Sequence, residues 1–244
     1  MSKKISLKQF LMRTGKFTKV FDCISAVKSG KITVNNKIVT NPNYFLNPKK
    51  ALIKLENEKI KSANKLYFIL NKPAGYLSQK SENEKTIYDL LEKLTLSKEQ
   101  MQSLFAVGRL DKDTEGLIIL TNDGNISDKI MNPKNEIIKK YYAVLEKTVD
   151  INKIRILEKG IEIGIDKEKY KTKPCKIKIV GEKEAYISIS EGKKRQIRKM
   201  FEMIENNIVY LRRVSIAGLQ LENLKVGEIK SISREEIYNK LDIQ

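Results

Sequence analysis

The segment Phe105 to Thr121 reads FAVGRLDKDTEGLIILT and sets Arg109, Asp111, Asp113, Thr114, Glu115 and Gly116 between two apolar runs. Phe105 to Val107 and Leu117 to Leu120 have the length and branching of buried strands. A polar loop pinned between two core strands is where a scaffold holds reactive groups rigidly. The carboxylates and the guanidinium suit a nucleophile or base with a cation close by. A solvated acidic hairpin accounts for Asp113 and Glu115 but leaves Arg109 and Asp111 unexplained at the strand end. A calcium loop fits Asp111, Asp113, Glu115 and Gly116. It fails at the twelfth position, where the bidentate Glu is replaced by Asn122. A phosphotransfer motif of the D-x-D-x-T kind needs Thr at 115, where Glu stands.

The elements that position this loop follow from periodicity. Leu66 to Leu70 alternates as a strand and runs into Asn71-Lys72-Pro73-Ala74-Gly75-Tyr76, where Pro73 and Gly75 force a turn. Thr86 and Ser97 stand as N-caps, with Asp89 and Gln100 three residues on. Asn122-Asp123-Gly124 turns the chain into a short helix ending before Pro133. Lys139 to Val144 reads as a strand, 151 to 159 as a helix, 175 to 180 and 185 to 190 as strands. In SEGKKRQIRKMFEMI, Ile197, Met200, Phe201 and Ile204 form the buried stripe of a helix. Lys193, Lys194, Arg195, Arg198 and Lys199 crowd its first turns, where the macrodipole disfavours cations, so an anion is expected there. Strands near 208 to 216 and 229 to 232 follow, then a helix capped by Ser233 with Glu236.

Residues 5 to 60 read as a separate unit. Leu7, Phe10 and Leu11 have helical spacing, and Val20, Phe21, Ile24 and Val27 repeat it before Gly30, a helix stop. Ile32 to Val34 and Lys37 to Val39 flank Asn35-Asn36, a two-residue hairpin signal. A last strand runs from Ala51 to Leu55. Residues 61–65 are short, polar and suited to a linker.

Composition narrows the chemistry. The 244 residues carry 48 Lys plus Arg against 30 Asp plus Glu, a net charge of +18, which suits a polyanion partner. Residues 1 to 64 hold 14 basic and 3 acidic residues, 14 − 3 = +11, so the excess concentrates there. There is no His, which removes His-dependent triads and imidazole zinc sites. Cys23 and Cys175 lack metal or redox spacing and read as reduced core cysteines. No signal peptide or membrane-length apolar run is present, so a soluble cytoplasmic protein is expected.

On four ordered motifs the chain resembles the bacterial RNA pseudouridine synthases: N-K-P-x-G-Y from Asn71, GRLDxDTxGL from Gly108, K-x-Y from Lys139, and RQIR from Arg195. The phrase AVKSGKITVNNKIV resembles the small RNA-binding domain first recognised in ribosomal protein S-four. The resemblance implies an α+β architecture. Residues 1–60 form the S-four-type domain, 61–65 the linker, and 66–244 a catalytic domain with a mixed, mostly antiparallel sheet flanked by helices. It implies isomerisation of a flipped uridine of ribosomal RNA to pseudouridine, without cofactor or metal. Asp111 is then the catalytic aspartate, acting as nucleophile or base, and Arg198 its charge-assisted partner. Tyr141 stacks on the base, with Tyr142 the fallback. Arg109, Lys72, Arg195 and Lys199 contact RNA beside the site, and Lys16, Lys19, Lys28 and Lys31 dock the N-terminal domain on the phosphate backbone. A monomer is expected, acting on ribosomal RNA or on ribosomal assembly particles. GIEIGIDKEKYKTKPCKIKIV resembles the small-subunit branch of the family more than the large-subunit one.

Two rivals compete. A non-catalytic ribosome-associated RNA-binding factor explains the charge but has no use for Asp111 with Arg198. An RNA methyltransferase needs a Gly-rich nucleoside loop, and the 12 glycines form no G-x-G cluster.

Overall fold

The computed structural model describes residues 4–17, 19–61, 64–166 and 168–242. The chain divides into two compact units. The first comprises residues 1–66 together with 91–105 and 121–123; the second comprises 67–90, 106–120 and 124–244.

In the first unit, helix Leu7–Arg13 starts with a capping box in which Ser6 and Gln9 bond each other's backbone N–H. Helix Val20–Lys28 packs beside it through Cys23 and Val27. The expected stripe of Val20, Phe21, Ile24 and Val27 is therefore corrected. Phe21 is 78% exposed and Val20 half exposed, because the inward face is set by the Cys23–Val27 spacing of four. Asn35 and Asn36 both have positive φ, 52° and 64°, and close the hairpin between Ile32–Val34 and Lys37–Ile38. Ile53–Leu55 pairs with Ile32–Val34, and a strand that the sequence pattern does not announce, Glu58–Ile60, pairs with it in turn. Glu56 and Asn57, with φ of 46° and 74°, make that second tight turn without a glycine.

The expected linker is partly tied down. Residues 62 and 63 lie outside the described residues, but the Asn64 carbonyl accepts from Asn122 Nδ2 at 2.8 Å and Lys65 Nζ lies 3.6 Å from the Asp123 carboxylate. Helix Lys98–Ser103, with its Ser97–Gln100 capping box, belongs to the same unit. The unit boundary is thus crossed several times rather than once near residue 65.

The second unit is built on a sheet with the strand order Lys176–Gly181, Glu184–Ile189, Lys139–Leu145, Ile208–Ile216, Glu115–Thr121, Tyr67–Lys72, Ile229–Ser231. Neighbours from Lys176–Gly181 to Ile208–Ile216 run antiparallel. Ile208–Ile216 then meets Glu115–Thr121 in parallel, with Arg212 opposite Glu115 and Arg213 opposite Gly116. Leu117 to Leu120 are buried on both faces, as their unbroken apolar run requires, whereas Ala185, Ile187 and Ile189 alternate with half-exposed residues. Helix Gln196–Glu202 covers one face through Ile197, Met200 and Phe201, in a core with Ala143, Leu145 and Leu211. Helices Gly124–Met131 and Arg234–Leu241 bury Ile126, Ile130 and Ile237 in a second core with Leu117 and Ile119.

One expectation shifts here. Thr86 and Asp89 do bond each other, but they lead into a 3-10 turn, Asp89–Lys93. After the 151–159 helix the chain adds a hairpin, Glu162–Ile165 with Glu168–Lys171, in which Ile163 is buried.

Candidate active site

Asp111 stands in a loop, not on a strand: the Phe105–Val107 strand ends before it and Gly108 turns the chain at φ 76°. Three devices hold the loop. Ser78 Oγ donates to the Leu110 carbonyl at 2.8 Å and accepts from the Leu110 N–H at 3.0 Å. The Thr114 N–H closes a turn onto the Asp111 carbonyl at 3.1 Å. Lys72 Nζ donates to the carbonyls of Pro73, Thr114 and Lys112 at 2.9, 2.9 and 3.3 Å.

Lys72 therefore cannot be an RNA contact. It is 0% exposed, and all three ammonium protons are used on backbone oxygens of the turn and the motif loop. Burial pushes its pKa down to about 8, against the pull of Asp113, Glu115 and Asp111. It is an internal clamp.

Gly116 shows why the motif ends in glycine. Its φ is +114°, and a Cβ there would lie 2.2 Å from the Arg213 carbonyl oxygen, so only hydrogen allows the parallel strands to meet. Glu115 accepts from Tyr210 Oη at 2.6 Å; burial and this bond together push that phenol up to about 12.

Around the loop lies a cavity of about 410 Å³. Asp111, Tyr141, Leu211, Arg198 and Arg213 line it together with Lys139. Burial, reinforced by Arg213, lowers the Lys139 pKa to about 8. Arg109, Lys193, Lys194 and Arg195 also line the cavity with exposed side chains and form a cationic rim. The Asp111 carboxylate makes no hydrogen bond or ion pair among the described residues. No group of three His, Cys, Asp or Glu among those residues is placed to hold a metal.

The structure selects between the two tyrosines. Tyr141 is buried against the cavity, whereas Tyr142 faces the other side of the sheet and packs tilted against Tyr186 at 5.6 Å and edge-on against Tyr210 at 6.2 Å. The expected partnership of Arg198 is corrected. Its Nη2 lies 3.3 Å from the Asp113 carboxylate and donates to the Asp113 carbonyl, while Nη1 donates to the Ile208 carbonyl at 2.9 Å. Arg195 grips the same Asp113 carboxylate at 3.2 Å. Two carboxylates stand two residues apart on a turn, and the turn carries Asp113 toward the basic segment. Arg198 reaches Asp111 only through the loop they share.

The basic segment itself begins in a loop, because Arg195 takes a left-handed conformation, φ 52°, and caps the helix that starts at Gln196. Glu191 organises that loop, accepting from Gln196 Nε2, the Lys173 N–H and Tyr170 Oη. Arg109 donates to Gln79 Oε1 at 3.2 Å. Lys199 points away from the cavity wall and bonds the Gly164 carbonyl. Lys16, Lys19, Lys28 and Lys31 lie on the surface of the first unit, with Lys31 paired to Glu56 at 2.6 Å.

A family model described as RNA pseudouridylate synthase matches residues 66–203. The chain belongs to the RNA pseudouridylate synthase family. It is 34% identical to ribosomal large subunit pseudouridine synthase B of Bacillus subtilis (strain 168) over 219 residues, 86% of this chain and 85% of that protein. It is 32% identical to ribosomal small subunit pseudouridine synthase A of Escherichia coli (strain K12) over 213 residues, 86% and 89% of the two chains. A solved structure described as a pseudouridylate synthase superposes with a TM-score of 0.68 at 28% identity, covering 97% of this chain and 99% of that one.

Within such a synthase the aromatic wall can be tested on its own. Tyr141→Leu is expected to lower single-turnover rate severely, because it removes the ring that faces the cavity. Tyr141→Phe keeps the ring; rates within about 10-fold of the parent would assign the residue to stacking, and a deeper loss would assign the hydroxyl a share in proton transfer.

Proposed function

We propose that the chain isomerises a uridine of ribosomal RNA to pseudouridine, with Asp111 as the nucleophile or base. The observation that carries this reading is an unpaired, half-buried carboxylate on the wall of a cavity that also holds Tyr141 and Leu211. A stacked, paired uridine cannot reach such a wall, so the nucleotide must be flipped out. That costs a few kcal/mol, offset by stacking on Tyr141 and by phosphate contacts at the rim. Arg109, Arg195, Lys193 and Lys194 supply the rim charge. Arg198 acts as a positioning residue: with Arg195 it holds Asp113, and so fixes the turn that presents Asp111.

The relatives named above carry names that refer to the large and the small ribosomal subunit, and they are similar to this chain to nearly the same degree. The resemblance of residues 160–180 to the small-subunit branch favours that RNA. The test is incubation of the protein with separated small- and large-subunit RNA and no added cofactor, followed by mapping of pseudouridine at nucleotide resolution. Pseudouridine at one uridine of one RNA is expected. RNA that is bound but unmodified would support a non-catalytic ribosome-associated factor instead.

The surface lysines of the first unit are assigned to docking, and the protein to action as a cytoplasmic monomer on RNA or on assembling particles. Among the described residues no helix is long and apolar enough to cross a membrane. Replacing Lys16, Lys19, Lys28 and Lys31 together with Ala should weaken RNA binding. It should also flatten the salt dependence, by about 0.7–0.9 in the logarithmic slope for each phosphate that is no longer neutralised. Chemistry on saturated RNA should stay within about 3-fold. Binding measured across a salt series checks this, and an unchanged slope would remove the docking role.

A further inference from the structure

Arg213 occupies the strand where the sheet changes from antiparallel to parallel pairing, with Tyr141 across from it on one side and Gly116 on the other. It is 2% exposed and lines the cavity. Its Nε donates to the Leu117 carbonyl at 2.7 Å, which fixes the side chain, while Nη2 is buried with no hydrogen-bond partner among the described residues. A buried guanidinium with an idle donor is costly unless something completes it. No carboxylate lies within ion-pair distance of it among the described residues, and its charge acts on Lys139 and Lys72, both cations. Arg198, by contrast, gives both terminal nitrogens to protein acceptors. Arg213 thus supplies positive charge deep in the wall, below the exposed rim cations that suit phosphates.

The reaction creates an anion in that place. When the bond between ring N1 and sugar C1′ breaks, its electron pair stays with the ring and spreads over N1, O2 and O4, while C1′ is left electron-poor and is met by the Asp111 carboxylate. The ring turns, C5 bonds to C1′, the C5 proton leaves to a base, and N1 takes up a proton, so atoms and charge balance. Between cleavage and rejoining the uracil carries negative charge, in a cavity that must hold it. A preorganised donor aimed at charge that develops only then is the arrangement that lowers a barrier most.

We propose that Arg213 is a catalytic residue whose guanidinium, with its terminal nitrogens unused by the described residues, donates to a carbonyl oxygen of the detached uracil and stabilises its charge while the ring turns. This rests on the pseudouridine synthase reading above. Fluorine at C5 makes the ring a more stable anion by itself, so it should reduce the need for Arg213.

The experiment compares full-length parent, Arg213→Gln and Arg213→Lys in single turnover on two RNAs. One carries uridine and the other 5-fluorouridine at the target position, and loss of the target nucleotide is read by mass spectrometry of nuclease digests. Arg213→Gln is expected to slow uridine by at least about 100-fold, with RNA affinity within about 3-fold, and to slow 5-fluorouridine at least 10-fold less than that. Arg213→Lys keeps the charge and should fall between parent and Gln with the same substrate bias. It serves as the reading if Arg213→Gln melts early. Equal slowing of both RNAs, or near-parent rates on uridine, would overturn the proposal. Active parent protein with equal slowing defeats Arg213 alone; a parent that forms no pseudouridine on any RNA defeats the reaction and Arg213 together.

Discussion

Asp111→Asn is expected to lower pseudouridine formation by at least about 1000-fold while RNA affinity stays within a few-fold. The amide has the shape of the carboxylate but can act neither as nucleophile nor as base. Because the Asp111 side chain makes no bond to the protein among the described residues, nothing structural is lost by the exchange; its backbone carbonyl still closes the turn to Thr114. Melting temperature should therefore be unchanged. Single-turnover assay and thermal melting on the same preparation check both halves. Turnover near that of the parent would remove Asp111 from the chemistry, and a large drop in melting temperature would show that the side chain has a structural partner.

Lys72→Met should do the reverse, damaging stability and geometry together. Met replaces the stem with one of similar volume and removes only the ammonium, leaving the Pro73, Lys112 and Thr114 carbonyls without their shared donor. Orphaning buried acceptors costs about 3 kcal/mol in total, a fall of roughly 6–12 °C in melting temperature for a chain this size. The rate on bound RNA should fall about 100-fold as the loop relaxes by an ångström or so. The pH dependence has a definite sign. Burial lowers Lys72 to about 8 from its ordinary 10.5, so between those values the unfolded chain retains a proton that the folded chain has released. The Lys72 contribution to stability then rises with pH across that window and levels off at its lower value below about 8. In Lys72→Met the Lys72 share disappears, while the shares of Lys139 and of the raised thiols of Cys23 and Cys175 are common to both proteins and cancel in the comparison. Denaturant titrations at about pH 7, 8, 9 and 10 span the window and measure the difference. Equal slopes in the two proteins would mean that Lys72 is not discharged by burial.

The sequence carries the reactive loop well, because its chemistry is local. Strand ends, the turn glycines and the polar set from Arg109 to Gly116 are contiguous, and the two periodicities place the flanking elements closely. Partnership over distance is what it does not carry. Lys72 reads as a surface cation beside a turn, since nothing near it in sequence shows that carbonyls 40 and 42 residues away enclose it. Arg198 reads as the partner of Asp111 because linear spacing cannot tell which of two carboxylates a turn brings forward. Phe21 reads as core because its neighbours have helical spacing, although Cys23 and Val27 suffice to bury so short a helix. Arg213 has a signal that could have found it. In Leu211-Arg212-Arg213-Val214 two successive arginines lie on a strand, so one of them must face the buried side. The hairpin at 162–171 has a signal that could have found it, because Ile161, Ile163 and Ile165 alternate with Glu162 and Gly164 as a half-buried strand does.

The strand Ile208–Ile216 lies between Lys139–Leu145 and Glu115–Thr121, both of which precede it in the chain. Without it the strand order is broken into two parts with unpaired inner edges, and neither Gly116 nor Tyr141 has the strand neighbour that fixes it. Ile208–Ile216, synthesised after both neighbours, is thus the strand that joins the halves, completes the cavity wall with Leu211 and Arg213, and gives Arg198 its Ile208 acceptor. Pairings of such long sequence separation form slowly and late. Catalytic competence is therefore coupled to synthesis of that strand: a polypeptide interrupted before residue 208 could still present the lysines of the first unit, but would hold Asp111 on a loop with no closed cavity behind it.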